Sequence, residues 1–190
     1  MPAMPTLFKL RSFLTLLSAG LILFAFSSCR SYNLGHPGEL AFESIYIAPV
    51  KNDSYAPQAQ ALVSSDIREA FIRDARVKVV TSEEAADVVL EVTLTEYKRS
   101  PGARSNVDTV QAFDFDITLE SKVGLYDPIS GKYLFENERI EARTNAYTEN
   151  PYAGAGALNT QTYHIAERQA LPNLSRSMAQ RIADRVLSAW

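Results

Sequence analysis

Three cations, Lys98, Arg99 and Arg104, fall within seven residues at the end of an alternating apolar segment, in a chain with 19 basic and 22 acidic residues. Such a group can hold phosphates, Lys as a point charge and Arg through its two-pronged fork. The same residues also suit a solvated connection that discourages edge pairing. Other chemistry-bearing residues do not gather. His36 and His164 are far apart and lack His-x-x-x-His spacing, so both read as surface residues. Asp114 and Asp116, two apart in a strand, share a face and could take a cation, but no third ligand accompanies them and a solvated face is the simpler reading. Ala153-Gly154-Ala155-Gly156-Ala157 lacks the Gly-Lys-Ser/Thr ending of a phosphate loop and reads as a connection. No catalytic constellation, metal set or cofactor motif emerges, so the expectation is a protein that is not an enzyme. The net charge of −3 excludes the basic domain that nucleic acid would require.

The strongest positional signal lies at the start. Lys9 and Arg11 precede an apolar run (Phe13, Leu14, Leu16, Leu17, Leu21, Ile22, Leu23, Phe24, Phe26) closed by Ser27, Ser28 and Cys29. This is the layout of a secretory signal peptide. A spanning helix needs about 20 apolar residues, and this run is shorter and lacks a basic stop-transfer flank. Ala25-Phe26-Ser27-Ser28-Cys29 resembles the lipobox of bacterial lipoproteins, in which the Cys is diacylated on sulfur and becomes the mature N-terminus. Phe26 stands where that signature carries an aliphatic residue. Cys29 is the one cysteine, so no internal disulfide can form, and a thioether-linked lipid would remove a free thiol from an oxidising compartment. Each buried CH₂ contributes about 0.8 kcal/mol, so two or three acyl chains anchor stably. Arg30, rather than Asp, follows the Cys; by resemblance to the sorting rule of such lipoproteins this points to the outer membrane. The expected organisation is a removed signal peptide (1–28), a lipidated tether (29–43) and one domain (44–190). Removing 28 of 190 residues leaves 162, the size of a single domain, and losing Lys9 and Arg11 takes the net charge from −3 to −5.

The elements that must position Lys98, Arg99 and Arg104 follow from periodicity. Ser44-Ile45-Tyr46-Ile47-Ala48-Pro49 reads as a strand over 43–49, ended by Pro49. After Pro57, Ala59, Leu62, Val63, Asp66, Ile67, Ala70 and Phe71 recur at helical spacing over about four turns. Val77, Val79 and Val80 form a short apolar segment, and Thr81 or Ser82 caps a brief helical turn. Val88, Leu90, Val92 and Leu94 alternate with Val89, Glu91, Thr93, Thr95 and Tyr97, predicting a one-sided strand. Phe113, Phe115, Ile117, Leu119, Val123 and Leu125 predict the next, and Asp127-Pro128-Ile129-Ser130-Gly131 a hairpin turn. The strand from Lys132 to about Ala146 is patterned less cleanly, which allows a bulge or an edge position. Residues 147–159 predict a flexible loop. From Ile165 to Ala189 helical spacing returns, with Pro172 requiring a kink or a new start. The order β-α-β-β-β-α implies an α+β fold: a two-layer sandwich of a four-stranded mixed sheet with two amphipathic helices on one face, the other face polar and open to a partner.

Order and spacing resemble the LptE family, lipopolysaccharide-assembly lipoproteins of Gram-negative outer membranes. The resemblance rests on Ile45-Tyr46-Ile47-Ala48-Pro49-Val50-Lys51-Asn52, the helix running to Phe71 with Ile72 to Val80 after it, Ala86-Asp87-Val88-Val89-Leu90 with Tyr97, and Leu125-Tyr126-Asp127-Pro128. It implies a lipid-anchored protein on the periplasmic face of the outer membrane that docks in an LptD-like β-barrel and binds lipopolysaccharide through basic residues of its sheet. Lys98, Arg99 and Arg104 are the candidates by charge. Another lipid-anchored adaptor, such as a transport-system auxiliary lipoprotein or an activator of cell-wall synthesis, fits the same small domain.

Overall fold

The computed structural model describes residues 40–102, 114–148 and 162–188. The expectations for residues 1–39, which include acylation of Cys29 and the placement of His36, lie outside the described residues, as do those for Phe113, Arg104, the Gly154–Gly156 segment and most of the 147–159 loop.

The elements are β1 (Ser44–Ile47), β2 (Lys51–Asn52), α1 (Pro57–Asp74), β3 (Lys78–Val80), a 3-10 turn (Glu83–Ala85), β4 (Val88–Pro101), β5 (Asp114–Asp127), β6 (Lys132–Tyr147) and α2 (Tyr163–Ser188). The α+β class holds, with a mixed sheet and two helices, but the sheet has six strands rather than four. The order is β3-β1-β4-β5-β6, with β2 pairing β4 beyond the end of β1. The two extra strands, β2 and β3, have two and three residues, too few for alternation to register. β1 runs parallel to both β3 and β4, as a helical crossover requires, and β4, β5 and β6 form an antiparallel meander.

α1 starts with Pro57 in its first turn, where no N–H is needed, and buries Ala59, Val63, Ile67, Ala70 and Phe71. It ends at Ala75 in the left-handed conformation, whose N–H donates to Phe71 O at 3.1 Å. α2 is one helix of 26 residues that passes through Pro172 without a break. Packing against α1, β5 and β6 outweighs the roughly 3 kcal/mol that an interior proline costs. Asp66, the polar residue within the α1 stripe, accepts the buried Ser175 Oγ of α2 at 2.5 Å. That bond explains how a carboxylate sits between two packed helices.

The core lies between the helices and one face of the sheet: Phe71 and Ile67 from α1, Leu174, Met178 and Ile182 from α2, and Ile45, Ile47, Leu90, Leu94, Ile117, Leu119 and Leu125 from the strands are all fully buried. The start of β1 is tied to the start of β4 by Asp87, whose Oδ2 accepts from the N–H groups of Glu43 (3.0 Å) and Ser44 (2.8 Å) and from Ser44 Oγ (2.8 Å). In the β5–β6 turn Asp127 accepts from the N–H groups of Ile129 and Ser130, and Gly131 takes φ 66° to close it.

Candidate docking face and its basic residues

A single extra residue in β4 decides where the basic residues go. The pairing steps from Leu94↔Ser121 to Glu96↔Glu120, so Thr95 is a bulge. Before it, Leu90, Val92 and Leu94 face the helices; after it, odd-numbered residues do. Tyr97, which simple alternation puts with the polar set, is therefore buried at 8 % exposure. Lys98 and Arg99, adjacent in sequence, leave opposite faces of the strand.

Arg99 points toward α2. Its Nη2 lies 2.7 Å from Glu167 Oε1 and its Nε 2.9 Å from the same oxygen, while Tyr97 Oη donates to that oxygen at 2.6 Å. The guanidinium lies 5.3 Å from the Tyr97 ring centroid and 5.6 Å from that of Tyr163, which packs edge-on against Phe115. Glu167 is 5 % exposed, so its charge depends on these donors. Burial, then the Glu167 carboxylate, pushes the Tyr97 hydroxyl well above its ordinary pKa. For Arg99 burial acts downward, but Glu167 outweighs it and the guanidinium is held more firmly protonated. His164 stands exposed at the edge of this cluster, its Nδ1 4.0 Å from Glu167 Oε2.

Lys98 points to the outer face, away from the helices. Its Nζ lies 2.7 Å from Glu96 and 3.7 Å from Glu120; Arg139 Nη2 lies 2.5 Å from Glu120 and 3.6 Å from Glu141; and Arg143 pairs with Glu141. The register produces this lattice. Glu96, Glu120 and Glu141 form one row across β4, β5 and β6, Lys98, Thr118 and Arg143 the next, and Thr93, Lys122 and Arg139 the row on the other side. The glutamates hold Lys98 and Arg139 above their ordinary pKa values, and Arg143 holds Glu141 below its own. The cations remain accessible, with side chains 54 % (Lys98), 63 % (Arg139) and 74 % (Arg143) exposed. Guanidinium donors of that exposure can turn to an incoming phosphate while keeping a carboxylate on the other side. Further along this face Asn145 bridges Asp116 Oδ1 (2.9 Å) and Asp114 Oδ2 (3.4 Å). Among the described residues no group of His, Cys, Asp and Glu is arranged to hold a metal.

Of the three candidate cations, then, Lys98 reaches the open face, Arg99 is turned to Glu167, and Arg104 is outside the described residues. Arg139 and Arg143 were missed, although Arg139, Glu141 and Arg143 at spacing two announce one charged strand face. Only the register with β5 and β4 brings them to Lys98.

A family model described as LptE, lipopolysaccharide-assembly, matches residues 42–186 of the chain. No curated protein matches it in sequence. A solved structure of a hypothetical protein from Chlamydia trachomatis shares the fold at 12% identity and a TM-score of 0.53, covering 77% of this chain and 96% of that one. Lipoprotein B from Nitrosomonas europaea is similar at 14% identity and a TM-score of 0.48, covering 84% of this chain and 95% of that one.

Proposed function

Because the chain belongs to the LptE family of lipopolysaccharide-assembly proteins, we propose that it is an outer-membrane lipoprotein, anchored through Cys29 on the periplasmic side, that assists lipopolysaccharide assembly by docking with an LptD-like β-barrel. The family match carries this reading. The polar, charge-alternating outer face of the sheet supports it, since the inside of a large barrel is polar and a face free of helices can be presented to it. No part of this role calls for catalysis; docking and positioning are the work.

Lipopolysaccharide contact is proposed for Lys98 and Arg104 of the original basic group. Arg139 and Arg143 join it because they share the lattice. Arg99 contributes by holding the end of β4 against α2. Pull-down by immobilised lipid A tests this. The Lys98→Ala/Arg139→Ala variant should lose most retention while keeping its melting temperature, and retention equal to that of the unaltered protein would remove the assignment. Cys29→Ser should release the protein from membranes and leave the domain folded; an unfolded soluble variant would show that tether and domain are not separable.

A further inference from the structure

The sheet ends at β3, and beside that edge runs an open groove of about 730 Å³ whose walls include Arg68, Ile72, Lys78 and Val79. Among the described residues β3 is bonded on one side only. Lys78 N–H donates to Glu43 O at 2.8 Å, within a parallel register that pairs Ser44 with Lys78 and Ile45 with Val79. Successive residues of a strand direct their amides to opposite sides, so Val79 presents both its N–H and its C=O away from β1, along the groove. The Val79 side chain packs against the core, and Ile72 on α1 is 65% exposed directly above the edge.

The charges of the groove are unbalanced. Arg68 spends one N–H on the carbonyl of Ile47 (3.3 Å) and has no carboxylate partner among the described residues. Lys78 is exposed, and no salt bridge joins it to an acid among the described residues. Arg76 is occupied by Asp74 and by Leu187 O, the last turn of α2. Among the described residues lining the groove Glu43 is the one acid, against Arg68 and Lys78.

We propose that this edge binds an extended, acidic and aliphatic segment of a partner protein, which adds as a strand beside β3. Main-chain bonds to Val79 would align it. One side chain would settle on Ile72 and Val79, and acids before and after it would meet Arg68 and Lys78. A second copy of this chain fits poorly, because edge-to-edge pairing would bring the Lys78 and Arg68 of both copies together. The groove lies at the opposite end of the sheet from the Arg139–Arg143 lattice, so this site stands independently of the lipopolysaccharide reading.

The test uses the full chain in detergent and a dye-labelled ten-residue peptide alternating Glu with Val, against a counterpart alternating Lys with Val. Fluorescence anisotropy should show the Glu peptide binding at least about tenfold more tightly than the Lys peptide, the scale of a charge-selected interface. Lys78→Glu with Arg68→Gln should reverse the order. Hydrogen exchange at the Val79 amide should slow when the Glu peptide is present. Equal affinity for the two peptides, no effect of the double variant, unchanged Val79 exchange, or concentration-dependent dimerisation abolished by Lys78→Glu would each overturn the assignment.

Discussion

Glu167 shows how much one buried carboxylate can organise. It draws Arg99 and Tyr97 from β4 to the first turns of α2, and both donors converge on a single oxygen. Removing Arg99 leaves that charge with the tyrosine hydroxyl as its remaining close donor. Arg99→Ala should therefore cost about 1–3 kcal/mol, read as a lower urea midpoint, and Arg99→Lys should recover only part of it. An unchanged midpoint would mean that the cluster is solvated. The other perturbed groups set the pH profile. Arg76 holds Asp74 below the usual carboxylate range, the Ser44 hydroxyl does so for Asp87, the backbone amide of Ser130 for Asp127, and Arg143 for Glu141. A carboxyl with a depressed folded pKa stabilises above its unfolded value and loses that contribution as pH falls through the folded one. Tyr97 has the opposite sign, its contribution complete below the unfolded value near 10 and lost above it. Urea midpoints should stay level from about pH 5 to 9 and fall below about pH 4. A profile already falling at pH 6 would place the sensitive group elsewhere.

Among the elements, β4 carries the decisive irregularity. Val88 to Leu94 was legible as a one-sided strand because four apolar residues repeat at a period of two. The bulge at Thr95 was not, since Thr95 and Glu96 are both polar and a shift of phase between two polar residues leaves no mark in the pattern. Tyr97 was thus placed on the wrong face, and Lys98 and Arg99, read as a connection, are residues of β4. Deleting Thr95 should give unbroken alternation that keeps Tyr97 and Arg99 toward the helices and Glu96 and Lys98 on the outer face, because the register on either side of the bulge then becomes continuous. Such a variant should keep the cooperative near-ultraviolet transition, and its loss would show that the bulge itself, and not only the phase it sets, is required. The helices were legible from their stripes. The passage of α2 through Pro172 was not, because it depends on packing against β5, β6 and α1, which no local signal contains. Likewise β2 and β3 take their conformation from the β4 and β1 edges they join rather than from their own residues.

For the whole molecule, the two sheet faces were readable in outline: apolar residues toward two helices, polar residues on the open face. What was hidden is the composition of the outer face, where cations from β4 and β6 interleave with glutamates from all three long strands. Glu120 and Arg139, 19 positions apart, and Lys98 and Glu120, 22 apart, meet there, and only the β4–β5–β6 register brings them together. A face of paired charges suits reversible docking to another polar surface, because each pair can exchange partners without stranding an ion. The lipid anchor proposed at Cys29 would supply the local concentration that such weak pairs need. The most direct measurement is site-specific photo-crosslinking in the bacterium's own envelope, with the photoreactive residue at Thr118 on the outer face and at Arg181 on the exposed side of α2. The account predicts that Thr118 crosslinks to a large outer-membrane β-barrel and to lipopolysaccharide, more strongly than Arg181 does. Crosslinks from Thr118 to a transporter or a peptidoglycan synthase, with no barrel among the products, would contradict it.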